Sequence, residues 1–149
     1  MTNVEIRKER TSMELLEKVL SGNNIYEAYK KVYDNKGASG VDGVTVDELE
    51  EYLKYHLNEI KEQIRNRKYK PSPVKRVYIP KDNGDKRALG IPTVIDRVIQ
   101  QAIMQVLSPI YEEQFSETSY GFRPKRSCEM AVVKALEFFN DGYDWIVDI

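Results

Sequence analysis

Residues 74–91 read VKRVYIPKDNGDKRALGI. Two β-type runs, VKRVYIP and RALGIP, flank a polar stretch in which Asn83-Gly84 supplies the strongest short-range hairpin signal, because both residues tolerate positive φ. This commits one part of the chain to an antiparallel ribbon. The surroundings follow a different period. Leu49, Leu53, Leu57, Ile60 and Ile64 recur at three-to-four spacing, as do Ile95, Val98, Ile99, Ala102, Ile103 and Val106. Both patterns predict amphipathic helices with wide apolar faces. The expected class is therefore α+β, mainly helical, with one hairpin.

Local signals fill in the rest. Thr11-Ser12-Met13-Glu14 has capping-box form and opens a short helix through Leu20, closed by Gly22. Asn24 is the expected cap of a second helix from Ile25 to about Tyr33, with Tyr26, Tyr29, Val32 and Tyr33 on its apolar side. The loop NKGASGVDG, residues 35–43, offers three glycines for positive φ. Thr45-Val46-Asp47-Glu48 is a further capping box, and Pro71 and Pro73 end the helix that follows. Thr93 starts the next helix, and Pro109 is expected to break it. SETSYGFRPKRS has no apolar period and reads as a loop. Ser127 then caps a helix through Phe139, and Trp145-Ile146-Val147-Asp148-Ile149 reads as a buried strand with one acid near its end.

Charge is distributed unevenly. The net charge is −1, yet residues 61–87 hold ten Lys or Arg against Glu62, Asp82 and Asp85, a window of +7. A basic block of this kind suits phosphates, or else is a solvated helix end and hairpin. The lone Cys128, expected to be a small buried residue near a helix start, rules out an intramolecular disulfide. The lone His56 falls at a surface or boundary position. No His/Cys cluster supports zinc or triad chemistry, and no apolar run approaches a membrane span.

Three features carry candidate chemistry. With a five-residue loop, 82–86, Lys81 and Arg87 would sit opposite each other on one face of the ribbon; a four-residue loop would pair Lys81 with Lys86 instead. Adjacent cations on a rigid ribbon suit a polyphosphate, or else deter edge aggregation. In YGFRP, Tyr120 to Pro124, with Lys125 and Arg126 beyond, aromatics interleave with cations. Such a segment can stack bases and hold phosphates, or Tyr120 and Phe122 can anchor a packed loop. Arg97, within DRVIQQA, is either a ligand or the ion-pair partner of a neighbour such as Asp96. P-loop, dinucleotide and metal-loop motifs are absent from the sequence.

KPSPVKRVYIPKDNGDKRALGIPTVIDRVIQQAI and YEEQFSETSYGFRPKRSCEMAV closely resemble the first blocks of bacterial group II intron-encoded reverse transcriptases, or maturases. AYKKVYDNKGASGVDGVTVDEL is similar to the extra N-terminal block of that family. The resemblance runs over about residues 22–149. It implies the fingers of a right-hand polymerase: a helical extension over 1–21, fingers over 22–140, and the first palm strand over 141–149. Lys81 and Arg87 would hold the incoming dNTP triphosphate, with Pro80 and Ile91 near the templating base. The loop Lys36, Gly37, Ala38, Ser39 and Gly40 would follow the template strand. Lys68, Lys70, Lys75, Arg76, Arg97, Arg123, Lys125 and Arg126 would meet RNA.

The same resemblance puts the metal-binding Asp of the palm immediately after Ile149, so Asp148 is its neighbour. Mg²⁺ would be bound by palm residues of a longer parent protein, with no metal in this stretch, and the 149 residues alone should not polymerise. Expected partners are template and intron RNA, a DNA primer or target, dNTP, and another copy through an exposed strand edge, without a membrane. The expected setting is the bacterial cytoplasm, in intron splicing and retrohoming. Two rival readings stay open: a non-catalytic module gripping intron RNA, and the fingers of a CRISPR-associated or diversity-generating reverse transcriptase.

Overall fold

The computed structural model describes residues 12–82 and 84–147. Among them lie helices α1 (12–19), α2 (Gly22–Asn35) and α3 (Leu49–Arg65), strands β1 (Lys75–Pro80) and β2 (Lys86–Ile91), and helices α4 (Val94–Glu112) and α5 (Cys128–Asn140). The two strands form a single antiparallel ribbon, confirming the mixed helical and hairpin architecture. The chain divides into two compact units, 1–107 and 108–149. No described helix is long and apolar enough to cross a membrane.

The first unit holds the buried core: Val19, Leu20, Ile25, Ala28, Val32, Leu49, Ile60, Val94, Ile95, Val98 and Ala102. The expected stripes of α3 and α4 supply Leu49, Ile60, Ile95, Val98 and Ala102, although Ile103 is turned outward. On α2 the buried stripe is Ile25, Ala28 and Val32, whereas Tyr26 and Tyr33 are exposed. Those tyrosines instead form a ladder with Tyr29, at centroid spacings of 6.2 and 6.0 Å. The small Ala28 lets α2 approach its neighbours, which a row of tyrosines would prevent.

Two caps differ from the sequence expectation. Ser21 caps α2, its hydroxyl accepting from Asn24 N–H, so Gly22 begins this helix and does not close the preceding one. Asn24 is freed to donate through Nδ2 to the carbonyls of Val19 (2.9 Å) and Ala102 (3.0 Å). Gln105 Nε2 donates in turn to Asn24 Oδ1 at 2.7 Å, so one side chain joins three helices. Helix α3 begins at Leu49, later than the capping box implies. Glu48 accepts from both Thr45 N–H and Thr45 Oγ1, leaving that hydroxyl a donor and not a helix cap. The expected cap at Thr11 lies outside the described residues.

In the second unit, Pro109 does not end α4, which runs on to Glu112. Proline removes only its own N–H, here the one that would reach Gln105. Ser127 caps α5 as expected, accepting from Met130 N–H at 3.3 Å. Cys128, the first residue of that helix, is exposed and not buried. Residues 143–147 are not a strand, and Trp145, Ile146 and Val147 are 95%, 75% and 83% exposed. A strand needs a neighbour to satisfy its backbone, and none of the described residues provides one. Asp148 and Ile149 lie outside the described residues.

Candidate nucleotide and nucleic-acid interface

The hairpin is rooted in the first turn of α4. Thr93 and Asp96 make a reciprocal cap: Asp96 N–H donates to Thr93 Oγ1, and that hydroxyl donates to Asp96 Oδ2 at 2.7 Å. The buried Asp96 carboxylate also accepts from Ser72 N–H (3.0 Å) and Tyr69 hydroxyl (2.6 Å). A buried carboxylate is tolerable only with its oxygens satisfied in this way. Burial, and then the hydrogen bond to Asp96 and its charge, push the Tyr69 phenol well above its usual range. The segment entering β1 is thereby fastened to the helix leaving β2. The sequence carries the signal for this root as Thr-x-x-Asp at 93–96, but its reach to Tyr69 and Ser72 is tertiary and has no local trace.

The ribbon's register corrects the expected loop. Ile79 pairs with Arg87 and Pro80 with Lys86, and Lys81 N–H donates to Asp85 O at 2.8 Å. Gly84 N–H closes onto Lys81 O, with Gly84 at φ 87°. The loop is therefore three residues, 82–84, of the kind that needs a left-handed residue, here Gly84, in its last position. Asn83 lies outside the described residues. Lys81 and Arg87 do not face each other directly, and Lys81 does not pair with Lys86. Alternation still puts Lys81 and Arg87 on one face, as diagonal neighbours roughly 7–8 Å apart. Two like charges at that range repel by only about 0.6 kcal/mol in water, leaving space for an anion between them. Lys86 lies on the opposite face, in β2 and not in the turn.

Pro80 and Ile91 are not brought together. Pro80 is at the tip, on the Lys86 face, whereas Ile91 pairs with Lys75 at the base. Lys75 shares the Lys81/Arg87 face, and Arg76 lies on the other. Lys68, Lys70, Lys75, Arg76, Lys81, Lys86 and Arg87 are all exposed.

Loop 36–40 is laced to the same first turn of α4. Arg97 donates to the carbonyls of Ala38 (2.7 Å) and Lys36 (3.2 Å), and its Nε is buried without an acceptor. Arg97 does not pair with Asp96, which faces the hairpin root. Of the three glycines, Gly37 and Gly43 take positive φ but Gly40 does not; Lys36 does, at 52°. Gly40 is needed for closeness instead: a Cβ there would stand 2.7 Å from Thr93 Cα. The sequence showed the glycines but not that one of them answers to packing.

In the second unit, Arg123 is the nail of its loop. Its side chain is 7% exposed and donates from Nε and Nη2 to Glu112 Oε1, and from Nη1 to the carbonyls of Ser116 and Ser119. It also lies over the Phe115 ring, 5.3 Å from its centroid. Phe122 does not anchor the loop, whereas Tyr120 is half-buried. Phe122 is fully exposed, and both it and Lys125 hold left-handed backbone. Arg126 pairs with Glu117 at 2.8 Å above the Tyr120 ring. Arg97, Arg123 and Arg126 thus all have protein acceptors. The hairpin cations make no ion pair among the described residues.

Comparison with known proteins places the chain in a family. The family model described as Reverse transcriptase (RNA-dependent DNA polymerase) matches residues 79–149. Group II intron-encoded protein LtrA of Lactococcus lactis subsp. cremoris is 40% identical over 124 residues, 83% of this chain and 20% of LtrA. Protein YkfC of Escherichia coli (strain K12) is 43% identical over 108 residues, 71% of this chain and 28% of YkfC. Nuclear intron maturase 2, mitochondrial, of Arabidopsis thaliana is 38% identical over 52 residues, 35% of this chain and 7% of the maturase. The chain spans 20% of the length of LtrA and 28% of that of YkfC. Over that span it belongs to the group II intron reverse transcriptase and maturase family.

Proposed function

We propose that this chain is the fingers region of an RNA-directed DNA polymerase built on the right-hand plan, closing over template RNA and the incoming dNTP. The observation that carries this reading is the placement of Lys81 and Arg87 on one exposed face of a ribbon anchored at its root by Asp96. A point charge and a planar fork there would neutralise the triphosphate as charge develops on the leaving pyrophosphate. Loop 36–40, held to α4 through Arg97, would lie along the template, and Lys68, Lys70, Lys75 and Arg76 would follow the RNA backbone. Pro80 and Ile91, far apart on the ribbon, would reach the templating base from different sides of it or not together. Among the described residues no three acids, His or Cys converge to hold a metal. In the same reading Mg²⁺ would be bound by palm residues of a longer parent protein, and the 149 residues alone should not extend a primer. Parent activity in splicing and retrohoming is part of the same proposal.

The test belongs in a full-length polymerase carrying these residues. Lys81→Ala and Arg87→Ala should each raise the apparent KM for dNTP and lower kcat, with RNA affinity nearly intact. Lys81→Arg should rescue only in part, because the fork does not reproduce a compact charge. Unchanged dNTP kinetics with weakened RNA binding would instead favour a module whose task is gripping intron RNA.

A further inference from the structure

The hairpin has a second face, and the polymerase reading makes no use of most of it. Register puts Arg76, Tyr78 and Pro80 of β1 opposite Gly90, Ala88 and Lys86 of β2. Tyr78 is 60% exposed. Its cross-strand partner is the small Ala88, with Lys86 on one diagonal and, on the other, Gly90, over which Val74 lies. Among the described residues no other ring stacks on Tyr78 and its hydroxyl bonds to nothing. The tyrosines of α2 provide a contrast: they stack on one another, and Lys30 lies over Tyr26. Arg76 and Lys86 bracket Tyr78 along the ribbon, both exposed and unpaired among the described residues.

We propose that Tyr78, with Arg76 and Lys86, forms a stacking platform for single-stranded RNA on the hairpin face turned away from Lys81 and Arg87. A bare aromatic ring on a rigid strand takes a base on its π-face, and cations on either side take the flanking phosphates. The Val74 side chain lies over Gly90, so the low floor beside the ring is made by Ala88, and a flat base would rest there. A duplex keeps its base faces covered, so it would meet only the charges. An acidic peptide would also satisfy the cations but would leave the bare ring unused. The two faces then divide the labour: one for triphosphate, the other for unpaired RNA. This rests on the reading that the chain binds RNA.

The test is fluorescence anisotropy of the 149-residue chain with a labelled short oligouridine and with a blunt RNA duplex, each titrated in salt. Tyr78→Ala should weaken oligouridine binding by about 5- to 150-fold, as loss of one base–aromatic stack does, and Tyr78→Phe should stay within about twofold. Duplex binding should be the same for all three proteins. Arg76→Ala and Lys86→Ala should each reduce the oligouridine salt slope by roughly 0.7. Tyr78 is a surface residue, and equal melting curves establish that the variants fold. Wild-type binding that Tyr78→Ala leaves within about twofold would overturn the platform alone. No wild-type binding at low salt would overturn the RNA reading and the platform with it. Equal losses on oligouridine and polyglutamate would show a general polyanion site and overturn stacking.

Discussion

Arg67 stands where helix α3 ends, at φ 56°. Arg67 N–H donates to Ile64 O and Lys68 N–H to Gln63 O, the paired bonds of a helix end that places a left-handed residue after its cap. A side chain costs about 1 kcal/mol in that conformation, so Arg67→Gly should raise stability by roughly 0.5–1 kcal/mol in denaturant unfolding. Tyr69 gives a pH-dependent counterpart. Its phenol titrates higher folded than unfolded, so its contribution is full below the ordinary tyrosine range and is lost as pH climbs through and beyond it. Unfolding midpoints followed into alkali should fall more steeply for wild type than for Tyr69→Phe. At neutral pH that variant should be less stable by about 1–2 kcal/mol, having left the Asp96 carboxylate one donor short. Neither residue declares its role in the sequence. An arginine in a left-handed turn looks like any basic residue after a helix, and the Tyr69 partner lies 27 positions away.

At the scale of elements, what could be read from sequence was whatever is local or periodic. The stripes of α3 and α4, the Ser127 cap and the existence of the ribbon all follow from spacing within one segment. The ribbon's register did not, because Asn-Gly permits several loop lengths and only the settled hydrogen bonds of Lys81 choose among them. The candidate site was legible as a basic hairpin. Its division into two faces was not, since a shift of one residue exchanges them. Nor was the inward turn of Arg97 and Arg123 visible, because their acceptors are mostly backbone carbonyls that any sequence provides. Pro109 shows the opposite failure, a strong local signal overridden by the helix around it. Pro109→Ala restores the N–H that Gln105 O lacks and should raise stability by about 1–3 kcal/mol, read as a higher unfolding midpoint.

For the whole molecule, the second unit is rich in uncovered apolar surface. Met130, Val132, Val133, Leu136, Phe138 and Phe139 of α5 are each at least 39% exposed. Patches of this kind associate. Sedimentation of the 149-residue chain should show mass rising with concentration, and Leu136→Asp should lower that association without disturbing a residue of the buried core. The charges sort by chemistry as well. The cations that hold the loops together are arginines: Arg97 at Lys36 and Ala38, Arg123 at Glu112, Arg126 at Glu117. Those that stand free on the ribbon include Lys75, Lys81 and Lys86. Acylation, which attacks amines and spares guanidinium groups, would therefore strip the ribbon of three charges while leaving every loop fastening in place. An acylated chain should keep its melting curve yet lose its grip on polyanions, and the same chemistry, applied reversibly by a cell, would silence the interface without unfolding the protein.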